Sequence, residues 1–218
     1  RGVIFRLFRN NENKWTCEPL HNATKGKGYA PFGGLLLNPV DNQLYGTMQR
    51  GGTSNGGVIF RVKQSGNEYE VIHNFKLGTG YGPAGPLVRD GAGNLYGTTF
   101  FGGSRDGGVV YKLTKSGSTY TYGVLRHFSN SEDSDWGGYQ PTQGPLLIGS
   151  DGRLYGATTS GGCSAADDAA NAHCPNTTTT PAGILFRLNR SGGGFTVLHT
   201  FDSDPSSGGY GPYGGLIE

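Results

Sequence analysis

The sequence predicts an all-β fold: a β-propeller-type array of four-stranded antiparallel blades, about 50–75 residues per repeat. Three observations carry this. One phrase recurs as "DNQLYGTM", "GNLYGTT" and "DGRLYGAT", with Tyr45, Tyr96 and Tyr155 standing 51 and 59 residues apart. A second phrase follows each copy, as "GGVIFRV" at Gly56, "GGVVYKL" at Gly107 and "AGILFRL" at Ala182, and it also opens the chain as "RGVIFRL". Finally, 41 of 218 residues are glycine, about one in five against a usual share of about 7%, which marks a chain rich in tight turns.

The unit from residue 35 to 86 sets out the elements in order. "GLLLN" reads as a first strand, and "PVDNQ" turns it back, with Asn and Asp tolerating the left-handed backbone of such turns. "LYGTMQ" is the second strand, "RGGTSNGG" a glycine-rich corner, "VIFRVK" the third strand and "QSGN" a tight turn. "EYEVIHNF" is the fourth strand, where Tyr69, Val71, His73 and Phe75 form an apolar stripe at period two. A loop, "KLGTGYGPAG", leads onward. Its Gly-Tyr-x-Pro core recurs at Tyr29, Tyr81, Tyr139 and Tyr210. A lone sheet of this kind has two partly apolar faces and buries both only by stacking on neighbours, so the repetition itself builds the core. The chain divides into one repeat domain over 1–218: a partial blade at 1–34, blades at 35–86, 87–145 and 146–215, the last with an insertion, and the start of another at 216–218.

Composition narrows the function. Lys and Arg total 18 against 16 Asp and Glu, a net charge of +2, with no basic run to bind nucleic acid. No stretch approaches the roughly 18 apolar residues of a membrane span. The glycine-rich segments lie in no strand–loop–helix setting, which argues against a nucleotide loop. Cys163 and Cys174 bracket the loop "CSAADDAANAHC". A local disulfide and an oxidising compartment are the expectation, two free thiols the alternative; Cys17 is left over.

The combined phrase, Pro-x-Gly then Asp-Gly-x-Leu-Tyr-Gly-Thr-Thr, a Gly-Gly corner, Gly-Gly-Val-Phe-Lys-Leu and a closing Leu-His-x-Phe, resembles the GloVer tandem repeat, named from Gloeobacter and Verrucomicrobia. The resemblance covers essentially the whole chain. It implies a propeller-like fold and the extracellular or cell-surface setting of choice-of-anchor bacterial proteins. It brings no catalytic motif. This chain departs from the pattern by insertions at 129–138 and 163–181.

Several constellations are candidates for chemistry. Four histidines, His21, His73, His127 and His199, sit near the ends of fourth strands. His127 is displaced by one residue, with Arg126 in the equivalent place, so a metal ring is disfavoured and histidines hydrogen-bonded between blades are expected. Acids cluster at Glu132, Asp133 and Asp135, and at Asp202 and Asp204. They suit a solvated loop, a calcium site, or the carboxylate pair of a glycosidase. Trp136, Tyr29, Tyr81, Tyr139 and Tyr210 offer flat aromatic faces for a sugar or a protein, with packing of each tyrosine on its proline as the plainer reading. The ligand-binding candidates are therefore Trp136, Tyr139, Tyr29, Tyr81, Tyr210, Asp133 and Asp135, with no resident cofactor apart from a possible calcium ion.

The expected function is a non-catalytic extracellular scaffold that binds a glycan or a protein. The rivals are a polysaccharide-acting enzyme using Asp133, Asp135, Asp202 or Asp204, and a subunit that self-associates through open strand edges. The last rests on the chain's ends: it opens on a third strand and stops on a first, so an array extending beyond it is expected rather than a closed four-bladed ring.

Overall fold

The computed structural model describes residues 2–129, 138–162, 181–202 and 211–218. These form four antiparallel sheets in chain order, with one short 3-10 turn at Leu77–Thr79 and no α-helix among the described residues. Sheet 1 pairs β1 (Val3–Arg9) with β2 (Trp15–Asn22). Sheet 2 runs β3 (Leu36–Asn38), β4 (Gln43–Met48), β5 (Val58–Lys63) and β6 (Glu70–Asn74), each paired with the next. Sheet 3 holds β7 (Tyr81–Pro83) and β8 (Val88–Arg89), both on β9 (Leu95–Phe101), followed by β10 (Asp106–Ser116) and β11 (Thr119–Ser129). Sheet 4 repeats this with β12 (Tyr139–Pro141), β13 (Leu147–Ile148), β14 (Leu154–Ser160), β15 (Pro181–Leu188) and β16 (Thr196–Asp202).

Two details differ from the sequence expectation. The Gly-Tyr-x-Pro phrase is not loop. Tyr81 pairs with Phe101 and Tyr139 with Ser160, while Tyr29 bridges to Arg50, each five residues past the tyrosine of its Leu-Tyr-Gly strand. The innermost strand is thus made of two short pieces on one partner. The fourth strand, moreover, carries no continuous period-two stripe. Every sheet has a bulge at one place, between Ile4 and Phe5, Ile59 and Phe60, Val110 and Tyr111, and Leu185 and Phe186. A bulge sets two residues against one and turns the rest of the strand to the other face. Tyr69 and Val71 therefore pack toward sheet 1, while Ile72 and Phe75 pack toward sheet 3.

The sheets bury their faces on one another in sequence. Call the face toward the preceding sheet the back and the other the front. Ile4, Leu20 and Ala23 on the front of sheet 1 meet Met48, Val58, Phe60 and Val62 on the back of sheet 2. Tyr45, Ile59 and Phe75 meet Leu95, Val109, Tyr111 and Leu113 of sheet 3. Tyr96, Val110 and Phe128 meet Leu154, Ile184, Phe186 and Leu188 of sheet 4. The third-strand phrase accounts for this: Val, Phe and Val or Leu alternate to the back, and Ile or Val points to the front.

The Leu-Tyr-Gly phrase has an equally local cause. Leu faces back, Tyr faces front, and Gly faces back again, where the aromatic ring of the third strand lies directly over it. A Cβ at Gly46 or Gly156 would stand 2.6 Å from Cζ of Phe60 or Phe186, and at Gly97 2.7 Å from Cζ of Tyr111. None of these three glycines has a positive φ; close approach, not backbone freedom, demands them. The first glycine of the following Gly-Gly corner has the other reason, with φ of +87°, +81° and +76° at Gly51, Gly102 and Gly161.

Candidate functional site

The front faces of sheets 2, 3 and 4 carry the same polar group. The Tyr45 hydroxyl donates to Asp41 at 2.7 Å, Tyr96 to Asp90 at 2.8 Å and Tyr155 to Asp151 at 2.9 Å. Across the ladder from these tyrosines stand Arg61, Lys112 and Arg187. The geometry between sheets 2 and 3 differs from that between sheets 3 and 4 because their hairpins differ in length. The β10–β11 hairpin continues past Leu113 through Lys115, paired with Tyr120, and Ser116, paired with Thr119. Tyr120 thereby reaches back and sets its hydroxyl 3.3 Å from that of Tyr45. The β15–β16 hairpin turns earlier, with Gly192 N–H donating to the Asn189 carbonyl and Asn189 N–H to that of Gly193. Among the described residues no aromatic stands at the corresponding place, and a cavity of about 460 Å³ opens there.

Asp90, Tyr96 and Lys112 line it from sheet 3, and Asp151, Arg153, Asn189 and Arg190 from sheet 4. The Asp90 side chain is 5% exposed and lies 3.5 Å from Arg190. Burial alone would raise its pKa, but hydrogen bonds from the Asn94 side chain, Tyr96 and the Asn94 N–H, together with the Arg190 charge, bring it below the ordinary value. Asp151 is also held below that value, first by the Arg153 N–H and then by Tyr155 and the charges of Arg153 and Arg187. Lys112 Nζ sits 5.6 Å over the Tyr96 ring, a cation–π contact. The cavity thus interleaves two ionised carboxylates with three cations, a mix of hydrogen-bond acceptors and donors.

The histidines take structural places. His21 stacks on Tyr69 at 3.6 Å, His73 stacks on Tyr122 at 4.1 Å, and Arg126 lies 4.1 Å over Phe195. By register these three are equivalent, opposite Ile4, Ile59 and Val110. Each reaches from one front face to an aromatic of the next sheet. Burial and the Lys76 charge lower the His73 pKa to about 4, and burial with Lys27 lowers that of His21. His127, one position on, instead accepts the Ser104 N–H at 3.0 Å on Nδ1, as Asn74 accepts the Thr53 N–H. Among the described residues no group of three or more His, Cys, Asp or Glu is placed to hold a metal ion.

Of the residues proposed from sequence, Tyr29, Tyr81 and Tyr139 hold equivalent register positions and are all half-buried. Tyr81 stacks on Phe101 at 5.3 Å, and the Tyr29 hydroxyl lies 3.4 Å from Asn55 Oδ1. They stand on separate sheets. Trp136, Tyr210, Glu132, Asp133, Asp135, Asp204, Cys163 and Cys174 lie outside the described residues, and Asp202 ends β16. Cys17 is free and exposed. The cavity residues were not singled out from sequence. Their one legible signal was an aspartate four to six residues before each Leu-Tyr-Gly tyrosine; a shortened hairpin leaves no mark of its own.

The chain has no match among curated proteins. Solved structures to which it is similar include two described as follows. "The structure of putative TolB from Agrobacterium tumefaciens" is 12% identical, with a TM-score of 0.45 over 91% of this chain and 61% of that one. A protein of unknown function from Dyadobacter fermentans DSM 18053 is 16% identical, with a TM-score of 0.44 over 80% of this chain and 55% of that one. The chain therefore spans less than two thirds of either. The model of the Gloeobacter/Verrucomicrobia repeat matches residues 1–218, and the protein belongs to that repeat family.

Proposed function

We propose that this chain is a non-catalytic, propeller-type scaffold of the cell surface or extracellular space, and that the cavity between sheets 3 and 4 binds a saccharide. The observation that carries the reading is the lining: Asp90 and Asp151 interleaved with Lys112, Arg153 and Arg190 around about 460 Å³. A polyhydroxylated ring offers a donor and an acceptor at each hydroxyl and is matched by such an alternation. The volume falls within the range of roughly 300–1,000 Å³ typical of small-molecule sites. A glycosidase would need one carboxyl raised so that it holds a proton near neutral pH. Both Asp90 and Asp151 are lowered instead, which favours binding over hydrolysis at this cavity.

The test is a glycan-array screen followed by calorimetric titration of the best saccharide. Lys112→Ala and Arg190→Ala are expected to weaken binding by at least about fivefold, equivalent to about 1 kcal/mol. Trp136→Ala is expected to leave binding unchanged. Binding that survives both cavity variants and is lost with Trp136→Ala would move the site to the 130–137 segment. Absence of any saccharide ligand would overturn the reading.

A further inference from the structure

One register position on the front of every sheet holds a cation: Arg6, Arg61, Lys112 and Arg187. In sheets 1 and 2 the residue directly opposite on the next strand is a glutamate, and the two close into an ion pair. Arg6 lies 2.6 Å from Glu18, and Arg61 lies 2.7 Å from Glu70. In sheet 3 the residue opposite Lys112 is Gly123, and in sheet 4 the residue opposite Arg187 is Thr196. Cross-strand neighbours project from the same face of a sheet. The place beside Lys112 that a glutamate fills in sheets 1 and 2 therefore holds no side chain of β11. Among the described residues nothing stands within 4 Å of a Cβ at Gly123. Of the four cations, Lys112 is the one that lines the cavity between sheets 3 and 4.

The remaining charges of that cavity are matched within the protein. Asp90 accepts from the Asn94 N–H, the Asn94 side chain and Tyr96, and lies 3.5 Å from Arg190. Asp151 accepts from the Arg153 N–H and Tyr155, and lies 3.6 Å from the Arg153 guanidinium. Lys112 is half-buried and has no carboxylate partner among the described residues; its contact is the Tyr96 ring, 5.6 Å from Nζ. Two carboxylates against three cations leave one positive charge in excess, and it falls on Lys112.

We propose that the ligand of this cavity is an acidic saccharide, a uronic acid unit whose carboxylate pairs with Lys112 where sheets 1 and 2 supply a glutamate. This rests on the reading of the cavity as a saccharide site and names the class of sugar. A single carboxylate balances the excess charge. A multiply sulfated chain would bring further negative charge against Asp90 and Asp151. Asn189 and Ser191, also in the lining, offer an amide and a hydroxyl to the ring hydroxyls. A partly buried pair of this kind is screened less by salt than one on an open surface.

The test is calorimetric titration of the 218-residue chain with trisaccharides of galacturonic, glucuronic and mannuronic acid, each beside its carboxyl-reduced, neutral counterpart. The readout is the ratio of acid to neutral affinity, so a loss of fit that weakens both forms alike leaves it unchanged. In the wild type at least one acid is expected to bind about tenfold or more tightly than its neutral form, the scale of a charge-assisted hydrogen bond. Lys112→Met keeps the aliphatic stem over Tyr96 and should abolish the preference, and Lys112→Arg should restore it. Gly123→Glu supplies the missing carboxylate from the protein itself and should also abolish the preference, while Gly123→Ala keeps it. Equal binding of acid and neutral forms by the wild type, or a preference that persists in Lys112→Met or Gly123→Glu, would overturn the proposal and leave saccharide binding standing. Binding of neither form would overturn both.

Discussion

Alanine at Gly97 sets one packing claim against one backbone claim. The Cβ would land on the Tyr111 hydroxyl, 2.7 Å from its Cζ and 3.2 Å from Leu87 Cδ2. Tyr111 is 0% and Leu87 2% exposed, so neither can swing into solvent. Overpacking of this kind costs about 1–3 kcal/mol, and the removed chain entropy of glycine returns about 0.4–1 kcal/mol. The net is a destabilisation of about 1–2 kcal/mol. In a chain of this length about 1 kcal/mol moves Tm by roughly 2–4 °C, so Gly97→Ala should lower Tm by about 2–8 °C. Gly123, on β11 opposite Lys112, has nothing within 4 Å of its Cβ position and no positive φ. There the entropy gain acts alone, and Gly123→Ala should raise Tm by about 1–4 °C by the same conversion. The assay is thermal unfolding followed by circular dichroism. A Gly97→Ala protein as stable as wild type, or shifts of the same sign at both sites, would refute the close-approach argument.

The packing between sheets sets three more expectations. The Tyr111 hydroxyl is buried without a hydrogen-bond partner among the described residues, and its equivalents are Phe60 and Phe186; Tyr111→Phe should stabilise the protein by about 1 kcal/mol in denaturant titration. Asp90→Ala removes the acceptor of Tyr96 and Asn94 and the partner of Arg190, and should cost about 2–3 kcal/mol, whereas Asp151→Ala, at an exposed site, should cost much less in the same titration. His73 takes up its proton near pH 4 when folded, against 6.5 as its ordinary value. The unfolded chain thus binds the proton first, and stability falls as pH drops from about 6.5 toward 4. The full displacement is equivalent to about 3 kcal/mol, and partial exposure brings this to about 2 kcal/mol. His73→Phe should flatten that part of the stability–pH curve; parallel curves for variant and wild type would contradict the assignment.

The sequence made the all-β class and the repeated strand-and-turn units legible because alternation, turn residues and repetition are all local. Arg126 could be matched to His21 and His73 for the same reason, by counting from the closing Phe. The bulge was not legible. Tyr69, Val71, His73 and Phe75 alternate perfectly in sequence, and only the pairing against Ile59 and Phe60 reveals that one residue is extra. The Gly-Tyr-x-Pro phrase reads as loop by composition, yet its tyrosine pairs with the end of the Leu-Tyr-Gly strand, a contact about 20 residues distant. The cavity depends on Tyr120 having no counterpart in the shorter β15–β16 hairpin, which is a comparison between two sheets rather than a property of either. Trp136 and the acids beside it fall outside the described residues, so the structure bears on the tyrosines and not on that half of the sequence-derived site.

Histidine and arginine on the front faces add a ring contact to each apolar joint between one sheet and the next, and coupling across these joints is what makes the repeats a single folded unit. The most direct measurement is a double-mutant cycle on His73 and Tyr122, whose rings lie 4.1 Å apart with planes 5° from parallel. His73→Ala, Tyr122→Ala and the double variant are unfolded in urea at pH 7.5, where His73 is neutral. A coupling energy of about 0.5–1.5 kcal/mol between the two sites is expected. Strictly additive effects of the two substitutions would contradict it.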